Sequence, residues 1–125
     1  MLARARVNQT KSPWKDNVTF VEGNITSIPL PSGTADCVIS NCVVNLVPDD
    51  DKPSVFAEIG RILKPGGRVA ISDILARKPL PEWLRDSVAL YVGCVAGAST
   101  KEEYALWLER AGFSGKIILY NICFR

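Results

Sequence analysis

Two short apolar runs, separated by one amphipathic segment, constrain this chain more than any other feature. Ala35-Asp36-Cys37-Val38-Ile39-Ser40 and Arg68-Val69-Ala70-Ile71-Ser72-Asp73 have the length and apolar character of buried strands. Between them Val55, Phe56, Ile59, Ile62 and Leu63 recur at helical spacing. Pro53 stands where a helix places its first residue, and Asp49, Asp50 and Asp51 put negative charge at the positive end of its dipole. Lys64-Pro65-Gly66-Gly67 stops it. Strand, helix and strand in that order predict parallel neighbours, because parallel pairing needs a crossover of this length.

The alternation extends in both directions. Residues 1 to about 9 predict a helix, ended before Pro13. Asn17-Val18-Thr19-Phe20-Val21-Glu22 alternates and is β-branched, which predicts a strand closed by Gly23-Asn24. Pro29, Pro31 and Gly33 mark residues 24–33 as a loop. Pro79 and Pro81 precede a helical stretch through Trp83, Leu84, Val88 and Tyr91, and Gly93-Cys94-Val95-Ala96-Gly97 breaks it. Thr100-Lys101-Glu102-Glu103 reads as a capping box, opening a helix with Tyr104, Trp107, Leu108 and Ala111 on one face and Gly112 at its end. Residues 116–124 predict a last strand. Trp83, Tyr104 and Trp107 are expected in the core. Helices between apolar strands imply an α/β domain of three layers with a mostly parallel sheet. Ligands of such sheets bind at the strand C-termini, which singles out Glu22-Gly23-Asn24 and Ser40-Asn41-Cys42.

Composition removes several functions. The 125 residues carry a formal charge of +2, too little to argue for nucleic acid or an anionic membrane. No apolar run approaches the ~20 residues that span a bilayer, and a soluble, cytoplasmic protein is expected. The chain contains no His, which excludes Ser-His-Asp and Cys-His catalysis and every His-containing zinc site. It has no Cys-x-x-Cys, no P-loop and no G-x-G-x-x-G. Cys37, Cys42, Cys94 and Cys123 are too sparse for a disulfide scaffold, so reduced thiols are expected.

Four segments carry a resemblance. Val18-Thr19-Phe20-Val21-Glu22-Gly23-Asn24, Ile28-Pro29-Leu30-Pro31, Asp36-Cys37-Val38-Ile39-Ser40-Asn41 and Leu63-Lys64-Pro65-Gly66-Gly67-Arg68 resemble, in order and spacing, a class I S-adenosylmethionine-dependent methyltransferase. Ser40-Asn41-Cys42-Val43-Val44-Asn45-Leu46-Val47 and Gly93-Cys94-Val95-Ala96-Gly97-Ala98 are similar, more narrowly, to arsenite methyltransferase. The resemblance covers residues 1 to about 113. It implies a partial Rossmann-like fold in which residues 1–125 form the C-terminal portion of a methyltransferase domain. The family's first two strands, Gly-rich loop, ribose carboxylate and N-terminal cysteines have no counterpart here. Weak or no cofactor binding and negligible turnover are therefore expected of this chain alone.

The same resemblance implies the site. Asn24 and Ile25 would meet the adenine of S-adenosyl-L-methionine, and Ser40 and Asn41 would border its methionine part. Cys42 and Cys94 would be the catalytic thiolates that hold trivalent arsenic as substrate, with a thiol reductant as the further partner. A soft centre such as As(III) prefers thiolate sulfur. The alternatives left open are a quinone- or sterol-type acceptor and a non-catalytic remnant. Plainer roles exist for the same residues: Asn24 in turn chemistry, Ser40 and Asn41 as a strand end, Cys42 and Cys94 as small hydrophobes. Cys37 and Cys123 are expected to be structural, and Asp49 to Asp51 a solvated helix start.

Overall fold

The structure is a computed structural model, which describes residues 1–85 and 94–115. Helix α1 spans Leu2–Thr10, strand β1 Ala35–Asn41, helix α2 Lys52–Ile62, strand β2 Leu63–Ser72, helix α3 Glu82–Arg85 and helix α4 Lys101–Arg110. Short 3-10 turns at Lys15–Asn17, Val44–Leu46 and Asp49–Asp51 link them.

The central expectation holds. β1 and β2 are parallel neighbours, with Cys37 opposite Arg68, Val38 opposite Val69, Ser40 opposite Ile71 and Asn41 opposite Ser72. The register is irregular between Ala35 and Cys37, where residues 64–67 turn out of α2. Pro lies in the first turn of α2, as its sequence predicts. Val55, Phe56 and Ile59 of α2 form the core with Val44, Leu63 and Tyr104, and Val38, Val69 and Ile71 of the sheet pack against it. Burying each such side chain contributes about 1.5–3 kcal/mol. α4 closes the other side, its Tyr104 ring edge-on to Phe56 at 5.3 Å and its Trp107 tilted at 5.5 Å. A Cβ on Gly60 would stand 2.9 Å from the Ala111 carbonyl oxygen, so only glycine lets α2 and the end of α4 approach this closely. The capping box forms in full. The Glu103 N–H donates to Thr100 Oγ1 at 3.3 Å, and the Thr100 N–H donates to Glu103 Oε2 at 2.7 Å.

Four expectations are corrected. Residues 18–23 form no strand: Val18, Phe20 and Val21 are exposed, and among the described residues no strand lies beside them to complete a ladder. The three layers reduce to two among the described residues. Side chains of β1 and β2 that face α2 are covered, whereas Ile39 on the opposite face is 79% exposed. Cys37 is exposed on β1 rather than buried. Trp83 is exposed too: among the described residues nothing covers it. The predictions for Val88, Tyr91, Gly93 and residues 116–124, including Cys123, lie outside the described residues.

The loop before β1 is strapped to α2. Arg61 donates to the carbonyls of Ile28 and Leu30, both at 2.9 Å, and Glu58 accepts the Ile28 N–H at 2.6 Å. The same two side chains pair bidentately along one guanidinium edge, Arg61 Nε donating to Glu58 Oε2 and Nη2 to Oε1, both at 2.7 Å. The Arg61 guanidinium holds the Glu58 carboxyl down to about 2, well below the usual range. At the chain's beginning, Gln9 ties α1 to the following segment by donating to the carbonyls of Lys15 and Val18. Among the described residues no helix is long and apolar enough to cross a membrane.

Candidate functional site

The two strands end side by side. Asn41 lies opposite Ser72, and the Cys42 N–H donates to the Ser72 carbonyl at 2.8 Å. The chain then turns sharply: Cys42 has a φ of +52°. Cys94 has a φ of +60°, and these are the two non-glycine residues in the left-handed region among the described residues. Such a conformation costs an L-residue on the order of 1–3 kcal/mol and persists where surrounding contacts over-determine it.

Those contacts are visible. The Cys94 thiol donates to the Cys42 carbonyl oxygen at 3.5 Å. Two cysteines 52 positions apart therefore meet at one sheet edge, Cys42 exposed and Cys94 partly covered. Partial burial pushes the Cys94 thiol pKa up, and the nearby Cys42 and Asp73 push it further the same way. Cys94 is thus kept protonated until a thiophilic partner displaces the proton.

A buried polar layer lies beneath. Asn45 is fully buried, and its Nδ2 donates to the carbonyls of Ile74 at 2.7 Å and Cys94 at 3.2 Å. The Tyr104 hydroxyl lies 3.3 Å from Asn45 Oδ1 and 3.2 Å from Asp73 Oδ2, so its one proton has two acceptors within reach. Burial, then the charge of Asp73, pushes the Tyr104 pKa far up, so it stays a donor. Burial raises the Asp73 carboxyl, against the Tyr104 hydroxyl, the backbone N–H groups of Val44 and Asn45 and the charge of Lys52. A Cβ on Gly97 would fall on the Asn45 carbonyl oxygen, so only glycine allows this contact.

Ser40 and Asn41 sit at the end of β1, Ser40 half-buried and Asn41 exposed. Ser40 Oγ and Asp73 Oδ1 are buried without a hydrogen-bond partner among the described residues. An orphaned hydroxyl at a strand C-terminus fits an edge that receives a polar ligand such as the amino-acid part of S-adenosylmethionine. Asn24 is exposed, and its Oδ1 accepts from the Thr26 N–H at 3.0 Å and the Thr26 hydroxyl at 2.9 Å. That is the turn chemistry open to any Asn. What Asn24 and Ile25 can offer an adenine edge is then the Nδ2 amide and the backbone.

Sequence reasoning missed Lys52, Asn45 and Asp73 as members of this region. Asn45 lies in a motif with no chemical signal of its own, Asp73 at the end of an apolar run, and Lys52 just after three aspartates. No local pattern separates these residues from surface ones; they are held by hydrogen bonds to groups 29 to 59 positions away.

Comparisons with known proteins agree with this architecture. Residues 1–112 match a family described as a methyltransferase domain. Arsenite methyltransferase of Halobacterium salinarum is 43% identical over 113 residues, covering 90% of this chain and 28% of that protein. The arsenite methyltransferase of Aquipseudomonas alcaligenes is 40% identical over 101 residues, covering 78% of this chain and 29% of that one. Among solved structures, the arsenic(III) S-adenosylmethionine methyltransferase of Chlamydomonas reinhardtii superposes with a TM-score of 0.67 at 36% identity, over 75% of this chain and 32% of that chain. The chain thus spans less than a third of each of these relatives.

Proposed function

Because this chain belongs to the methyltransferase domain family, we propose that it supplies the methyl-acceptor side of an S-adenosylmethionine-dependent transfer to trivalent arsenic. The observation that carries the reading is the approach of Cys94 to Cys42 at the strand C-termini, together with the arsenite methyltransferase identities of 40–43%. When bound, S-adenosylmethionine supplies an electrophilic methyl group on a sulfonium. Ser40 and Asn41 would hold its methionine part and Asn24 and Ile25 its adenine. Cys42 and Cys94 would fix the arsenic with its lone pair free. The two thiolates would thus leave the arsenic lone pair open toward the methyl group that the cofactor would supply. The chain's contribution is positioning, and no histidine is required.

A thiol reductant completes the partners, and a cytoplasmic setting belongs to the same reading. The test is titration of the full chain with phenylarsonous acid, comparing it with Cys42→Ser and Cys94→Ser. Each substitution replaces a soft donor by a hard hydroxyl and is expected to weaken binding at least about a hundredfold, roughly 2.7 kcal/mol. Unchanged affinity in both variants removes arsenic as the acceptor and leaves the methyltransferase fold standing.

A further inference from the structure

Lys52, the first residue of α2, is wholly buried. An ammonium out of water is tolerated only when its donors are matched. Here all three are: Nζ donates to Asp49 Oδ1 at 2.5 Å, to the Gly97 carbonyl at 2.6 Å and to Ser99 Oγ at 3.0 Å. Two of these acceptors belong to the short stretch that also carries Cys94. The same stretch is held from Asn45, whose Nδ2 donates to the Cys94 carbonyl, and by Gly97 seated on the Asn45 backbone. Residues 94–99 are therefore fastened at three points to residues 45–52, the continuation of the segment that bears Cys42.

We propose that Lys52, assisted by Asn45, is a positioning residue that sets the spacing of the Cys42 and Cys94 thiols and thereby their joint capture of a trivalent arsenical. The arsenical half of this statement rests on the proposed function; the spacing half does not. Capture by both thiols breaks two S–H and two As–O bonds. It forms two As–S bonds and releases two waters from arsenic-bound hydroxyls, with no change of oxidation state. After the first As–S bond the second closes within one molecule, at an effective concentration set by how firmly residues 94–99 are held. Lys52 touches neither sulfur nor arsenic in this scheme; it acts through the backbone at Gly97 and the hydroxyl of Ser99.

Two probes on the full chain separate the two halves. Dibromobimane becomes fluorescent when it bridges a close pair of thiols, and so reads spacing without arsenic. Phenylarsonous acid, followed by intact mass and by counting the remaining thiols, reads capture. The unsubstituted chain is expected to give a bimane bridge that is lost in Cys42→Ser and in Cys94→Ser, and one arsenical per two thiols. Lys52→Met should lose most of the bridge and bind the arsenical about tenfold more weakly, with a larger fraction of it held by one thiol, since charged hydrogen bonds that hold the second thiol in place are removed. Iodoacetamide should still label Cys42 at its usual rate, which mere unfolding of the edge would change.

Ser99→Ala removes one acceptor and lies outside α2, so it provides the milder variant should Lys52→Met fail to fold; a loss of about threefold, smaller than in Lys52→Met, is expected because one of the three hydrogen bonds to the ammonium is removed. Unchanged bridging and two-thiol capture in folded Lys52→Met, or in Ser99→Ala if Lys52→Met does not fold, overturns the positioning role. Bridging lost in these variants, with arsenical affinity indifferent to both cysteines, overturns the arsenical reading and leaves the spacing role in place.

Discussion

The two ends of the candidate site are built in opposite ways. The thiol end, residues 41–52 against residues 94–104, is fixed by buried polar groups: Lys52 and Asn45 are fully buried and Tyr104 nearly so. The segment proposed to meet the adenine, residues 18–33, is open. Val18, Phe20, Val21 and Asn24 are exposed, and the strap from Arg61 and Glu58 is its main tether to the core. The difference teaches that a site can be assembled unevenly. In the proposed function, an acceptor gripped by two thiols would need groups held to within a bond length, which buried hydrogen bonds can provide. A flat aromatic base needs an edge to lie on, which short loops can offer.

The sharpest way to break this comparison is a matched pair of truncations. Phe56→Ala, under the thiol end, removes a fully buried ring that contacts Tyr104 and Trp107, and should cost about 3–5 kcal/mol. Phe20→Ala, at the adenine end, removes a ring that is 37% exposed and should cost less than about 1 kcal/mol. Urea unfolding of both variants measures the ratio, and equal losses would erase the asymmetry. A second, smaller effect sharpens it. Gly97→Ala forces a methyl onto the Asn45 carbonyl, so segment 94–99 must lift, at a cost of about 1–3 kcal/mol. Thermal unfolding should register the loss, and dibromobimane bridging of Cys42 and Cys94 should fall with it.

The smallest effect concerns acid. Glu58 is held at about 2 against an ordinary 4.5, chiefly by Arg61. A carboxyl depressed on folding adds stability above its unfolded value, and that stability is lost as pH falls through its folded value. The strap should therefore weaken between about pH 4.5 and pH 2. In Glu58→Gln this portion of the acid transition should vanish. Amide exchange at Ile28 should then be insensitive to pH over that window beyond its intrinsic dependence, whereas in the unsubstituted chain it should accelerate as Glu58 protonates.

Parts of this were legible without coordinates because they are local. Helix α2 follows from the spacing of Val55, Phe56, Ile59 and Ile62, and its start from Pro53. The capping box at Thr100 and Glu103 is read from four consecutive residues. The strand expected at residues 17–22 failed for the opposite reason. Alternation states what a strand's side chains would prefer, but a strand exists only through hydrogen bonds to a neighbour, and none of the described residues supplies one. Trp83 failed likewise: an indole is buried only where something covers it, and none of the described residues does.

The sequence by itself determined the parallel pair and the helix between them, since periodicity and crossover length admit one arrangement of that unit. It also singled out Cys42 and Cys94 by the motifs around them. Only the tertiary structure decided that these two residues share an edge, both in left-handed backbone, with Lys52 and Asn45 buried behind them. The physical reason is range. Helix formation depends on neighbours three and four positions away, whereas burial of an ammonium depends on Gly97 and Ser99, 45 and 47 positions along the chain, and no local pattern in a sequence carries that distance.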